Sequence, residues 1–183
     1  GASAPSVSDP DAGASPLRVT LSVTNGTLTL ASTGGLTFST GDGTADATTT
    51  FTGAAADINT ALNGLTFTPN ADYNGPAVIT LTTNDQGASG SGGAQQDSDE
   101  VAITVAAVND APTFSLGIIQ AAVGDTNPRT VPNWATNISP GPANEAGQAL
   151  TFTVTVDNAA LFAAQPTIAP DGTIWTGRNW NAA

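Results

Sequence analysis

Apolar residues recur at every second position in short runs, and Gly, Asn, Asp or Pro punctuates the stretches between them. Leu17, Val19, Leu21 and Val23 alternate with Arg18, Thr20, Ser22 and Thr24, and Val101, Ile103 and Val105 alternate with Ala102 and Thr104. This period gathers the apolar set on one face of a strand, whereas a helix would scatter it around its axis. Asn25-Gly26 follows the first run and leads into Thr27-Leu28-Thr29-Leu30, the pattern of a type I′ hairpin whose turn residues both take positive φ. Antiparallel sheet is therefore expected, with Val101, Ile103 and Val105 on a buried face.

The remaining punctuation divides the first half into short elements. Gly34-Gly35 precedes Leu36-Thr37-Phe38, Gly41-Asp42-Gly43 forms a loop, and residues 49–52 are a short strand carrying Phe51. Residues 54–63 break the alternation. They are rich in Ala, with Ile58 and Leu62 spaced as on one helix face, and predict a short helical turn ended by Gly64. Leu65 and Phe67 restart the strand period and Pro69 stops it. Asp72-Tyr73-Asn74-Gly75 is a turn, and Ile79 and Leu81 mark the next strand. Residues 85–100 are predicted to form a Gly/Ser loop carrying Asp85, Asp97, Asp99 and Glu100, and residues 1–8 to be loose. Many short strands with hardly any helix predict an all-β fold, an antiparallel sandwich with one short helical turn.

Val108-Asn109-Asp110-Ala111-Pro112 closes this first unit. Pro112 offers no ladder hydrogen bond and biases Ala111 away from helix, so pairing should stop there. The expected domains are residues 1–110 and a second, incomplete repeat over 111–183 with an atypical tail. The second unit echoes the first. Asp11-Ala12-Gly13 ahead of the Leu17 run is matched by Glu145-Ala146-Gly147 ahead of Leu150, Phe152, Val154 and Val156, with Ala143 in the place of Asp9. Trp175, Arg178 and Trp180 follow in the tail, and the unit is expected to be too short to close a sandwich unaided.

Composition narrows function more than fold. The 183 residues carry 15 acidic side chains against three basic ones, Arg18, Arg129 and Arg178, for a net charge of -12. Nucleic acid and anionic membrane both ask for a basic surface, so neither is an expected partner. The chain has no Cys, His or Lys. Disulfides, thiolate metal sites, Ser-His-Asp triads and Schiff-base chemistry are thereby excluded from it. No apolar run approaches the length of a membrane span, and residues 1–16 lack the basic start and apolar core of a signal peptide. A mature fragment of something longer is expected. Asp97 and Glu100 are a conceivable carboxylate pair for glycoside hydrolysis, but nothing in the sequence indicates a cleft, and the chain is expected not to be an enzyme.

Four motifs in this order resemble bacterial cadherin-like tandem repeats, the repeats of very large secreted or surface proteins that include biofilm and RTX-type adhesins. They are Asp9-Pro10-Asp11-Ala12-Gly13, Asn25-Gly26-Thr27-Leu28, Leu65-Thr66-Phe67-Thr68-Pro69 with Asn74-Gly75, and Val108-Asn109-Asp110-Ala111-Pro112. Trp134-Ala135-Thr136-Asn137-Ile138-Ser139 and Gly141-Pro142-Ala143-Asn144-Glu145-Ala146-Gly147-Gln148 resemble a sister repeat. The resemblance implies a Greek-key β-sandwich, location outside a bacterial cell or on its surface, and Ca²⁺ at inter-repeat junctions. By similarity Asp9 and Asp11 match the family's Asp-x-Asp element, Asp85 with Gly87 its Asp-x-Gly loop, and Asn109-Asp110 its junction.

Calcium asks for about 6–8 oxygen ligands. Asp9, Asp11, Asp85, Asn109 and Asp110 could supply much of that set if their loops meet, and the alternative is ordinary turn chemistry, in which Asx side chains bond their own backbone. Beside that carboxylate-pair enzyme, two function classes remain open. One is a structural or adhesive module that stacks on neighbouring repeats, or on other copies through open strand edges. The other is a carbohydrate-binding module that presents Trp175 and Trp180 to surface glycans, with Trp134 expected in the core.

Overall fold

The computed structural model describes residues 4–10, 12–87, 92–118, 128–162 and 164–177. It is 40% strand and 8% helical, an all-β chain with antiparallel pairing throughout its described ladders. Two compact units divide it, residues 1–107 and 108–183.

The first unit contains β1 (Leu17–Val23), β2 (Gly26–Thr29), β3 (Thr37–Thr40), β4 (Thr48–Gly53), α1 (Ala55–Leu62), β5 (Thr66–Pro69), β6 (Gly75–Asn84) and β7 (Gln96–Val105). A five-stranded sheet runs β3-β4-β1-β6-β7, and β2 and β5 form a second, two-stranded sheet. β1 is central, and its alternation is realised as read: Leu17, Val19 and Leu21 are wholly buried. They join Phe51 of β4, Leu28 of β2, and Ile58 and Leu62 of α1 in one core, so both sheets and the helix share it. Gly64, at φ +109°, follows the helix.

Asn25-Gly26 does not make the expected hairpin. Asn25 takes φ +59°, but Gly26 is not left-handed, and β1 pairs with β4 and β6 while β2 pairs with β5. The dipeptide is a corner at which the chain changes sheets. Gly26 is required there by crowding, since a Cβ would run into the Phe67 ring and the Thr68 carbonyl across the β2–β5 pair.

Three further expectations change. Residues 1–8 are not all loose, because Val7 is buried and both its backbone groups bond to Asn59 of α1. Asp97, Asp99 and Glu100 lie on β7 rather than in a loop, paired opposite Thr83, Leu81 and Thr80 of β6. Their polarity conceals a strand that pairs along ten residues. Val101, expected to be buried, is 48% exposed. It stands opposite Ile79, which stands opposite Val23 of β1, so it shares the sheet's core-facing side. β7 is the edge strand, and that side is left open at Val101.

The second unit holds β8 (Thr113–Leu116), β9 (Arg129–Val131), β10 (Ala135–Ser139), β11 (Thr167–Ile168) and β12 (Ile174–Thr176), with single 3₁₀ turns at Ala143–Glu145 and Ala159–Leu161. β8 pairs with β10, and β12 lies between β11 and β9. Ala135 is buried, while Phe114, Leu116 and Ile118 stay exposed. Phe114 meets Phe152 edge to face, ring centroids 5.2 Å apart. The run of Leu150, Phe152, Val154 and Val156 keeps its alternation, each half-buried between exposed threonines, yet joins no ladder among the described residues. Among the described residues no helix is long and apolar enough to cross a membrane.

Candidate functional site

In the first unit the expected ligands Asp9 and Asp85 come to one open groove of about 540 Å³, where Asp97 and Asp99 of β7 join them. Each already serves a turn. Asp9 Oδ1 accepts the Ala12 N–H at 3.0 Å, as Asx side chains before a strand commonly do. Asp85 follows β6, and its Oδ1 accepts the N–H groups of Gly87 at 2.9 Å and Gln95 at 2.7 Å, pinning together the two ends of the loop between β6 and β7. These donors, Gly87 first and Gln95 second, hold the Asp85 carboxyl below the usual carboxylate range. Asp11 lies outside the described residues.

Asp97 and Asp99 are two apart on β7 and share its groove face, whereas Glu100 falls on the opposite face. The Asp97–Glu100 pair is thus split across the sheet. Among the described residues, no three carboxylates gather in a group that could hold a metal ion.

Asn109 and Asp110 belong to the second unit, where they meet a residue that the sequence did not single out as a ligand. The 3₁₀ turn at Ala143–Glu145 buries Glu145 to 6% exposure. Its Oε1 accepts the Asp110 N–H at 3.0 Å. The Glu145 carbonyl accepts the N–H of Gln148, whose side-chain Nε2 reaches Asn109 Oδ1 at 3.3 Å. Asn109 Nδ2 donates to the Asp110 carbonyl at 3.1 Å. Glu145 Oε2 is buried and has no hydrogen-bond partner among the described residues. It abuts Gly141, where a Cβ would collide with it, and the same Cβ would lie 3.3 Å from Asp110 Cβ. The turn thus leaves a carboxylate oxygen without a donor beside the Asp110 side chain. Burying such an oxygen is costly unless a donor or a cation meets it. The one sequence signal for Glu145 was its place in the echo, where it stands for Asp11.

The tryptophans divide differently. Trp134 precedes β10, is half-buried, and donates its Nε1–H to the Ile118 carbonyl at 3.1 Å. Trp175, on β12, is half-buried, and its ring lies over Gly177, at a distance only a residue without Cβ permits. Trp180 lies outside the described residues. No protein-family model, curated protein or solved structure matches the chain.

Proposed function

We propose that the chain is a structural or adhesive repeat module of an extracellular bacterial protein, non-catalytic, that takes up Ca²⁺ at its Asn109-Asp110 joint. The supporting observation is the orphaned Glu145 Oε2, buried beside Asp110 with no donor of its own. Calcium prefers carboxylate and carbonyl oxygens and tolerates irregular geometry, so a buried Glu, a neighbouring Asp and an Asn carbonyl suit it better than they suit a softer metal. Asp9 and Asp85, which line one groove of the first unit, are a second acidic pair, for a separate Ca²⁺ ion. In this reading the function is mechanical. Bound Ca²⁺ offsets carboxylate repulsion in a chain of net charge -12 and stiffens the joint.

Thermal unfolding in EDTA and then in millimolar Ca²⁺ tests the proposal. An ion that binds only the folded state stabilises it by about 2.7 kcal/mol when free Ca²⁺ exceeds its Kd about 100-fold. The melting temperature should therefore rise with Ca²⁺, and the rise should vanish in Glu145→Gln and Asp110→Asn. An unchanged melting temperature would overturn the calcium joint.

A further inference from the structure

We propose that the neutral half of β7 and residues 150–156 are complementary halves of a strand-addition contact between two copies of this chain. The inference rests on reading the chain as a structural repeat and is independent of calcium.

The acceptor is the free edge of β7. β7 pairs with β6 from Gln96 to Val105, and among the described residues no strand lies on its other side. Such an edge presents unpaired N–H and C=O groups to any incoming strand. Its first half is guarded, because Asp97, Asp99 and Glu100 would repel another acidic chain. Its second half, Val101–Val105, carries no charge.

The donor is the Leu-Thr-Phe-Thr-Val-Thr-Val run at residues 150–156. It has the period and composition of a strand, with each apolar residue half-buried and each Thr exposed. Yet none of its backbone N–H or C=O groups makes a hydrogen bond among the described residues. Those backbone groups are thus free to pair with the edge of another strand. Its counterpart in the first unit, β1, is bonded on both sides, by β4 and β6.

Charge selects the pairing. At net charge -12, a strand that approaches the acidic β7 edge of another copy must bring no further negative charge, and residues 150–156 bring none. Because the two surfaces differ, the contact is heterologous and propagates from copy to copy unless a ring closes.

The chain contains no Cys, so introduced thiols would be the only ones present. Full-length Ala102→Cys, isotopically labelled, is mixed with unlabelled Thr153→Cys in EDTA under mild oxidation, and the linked peptides are identified by mass spectrometry. The expected product joins position 102 of one copy to position 153 of the other. Light scattering of the unmodified chain should show particle mass growing with concentration. Thr153→Pro, which removes an N–H that serves no bond among the described residues, should abolish that growth. A monomer at every concentration would overturn the proposal, as would disulfides linking only like positions. Because the assay is run in EDTA, its failure is separate from that of the calcium joint, which the melting temperature alone decides.

Discussion

The side-chain amide of Asn59 brackets the Val7 peptide, its Oδ1 accepting the Val7 N–H at 2.7 Å and its Nδ2 donating to the Val7 carbonyl at 2.9 Å. A residue of α1 thus completes, for a segment outside any strand, the pair of bonds that a neighbouring strand would make. Val7 is buried as a result, 6% exposed within the core cluster.

Asn59→Ala should therefore cost more than an ordinary helix-surface substitution. It removes both bonds and leaves two part-buried backbone groups without partners, a loss of about 1–3 kcal/mol. Urea denaturation should show a lower midpoint, and amide exchange at Val7 should rise ahead of exchange in β1. Unchanged protection at Val7 would mean that the segment is held by apolar contact alone.

A second prediction separates crowding from turn chemistry at Gly26. Were Asn25-Gly26 a type I′ hairpin, Gly26 would be needed for its positive φ; instead it is needed because the Phe67 ring and the Thr68 carbonyl fill the place of a Cβ. Gly26→Ala should strain the β2–β5 pair by about 1–3 kcal/mol. Phe67→Ala in the same chain should recover part of that strain. A strictly additive double mutant, measured by chemical denaturation, would return the explanation to the backbone.

The same corner shows where sequence was sufficient and where it was not. The alternation of Leu17, Val19 and Leu21 is a local property, and it determined both the strand and its buried face. The partners of that strand are not local. Nothing within residues 17–30 reveals that both edges of β1 are taken by β4 and β6, which leaves β2 to the other sheet. β7 was half-hidden for a related reason. Periodicity registers a strand only where one face is buried, and Asp97, Asp99 and Glu100 lie where neither face is covered. At the candidate sites the sequence found the acidic turns, because Asp-x-Gly spacing is turn chemistry whatever else it serves. Glu145 escaped because its burial arises from a 3₁₀ turn folded back onto Asp110, a contact spanning 35 residues.

Asp85 yields a pH prediction whose sign follows from its donors. The Gly87 and Gln95 N–H groups bond the ionised carboxylate and lower its folded pKa. The carboxyl's unfolded value is about 3.9. A depressed folded pKa contributes stability above the unfolded value, and that contribution is lost as pH falls through the folded one. The effect is local to the loop between β6 and β7, because both N–H groups that Asp85 accepts belong to the ends of that loop. Amide protons of Gly87 and Gln95, followed by NMR, should thus lose protection on acidification below about pH 4. Asp85→Asn keeps an acceptor oxygen but removes the charge. At neutral pH its Gly87 and Gln95 protons should exchange faster than in the parent chain, and the difference should close as the parent carboxylate is protonated. A parent and variant that differ equally at acidic and neutral pH would show that the charge on Asp85 contributes nothing to the closure of this loop.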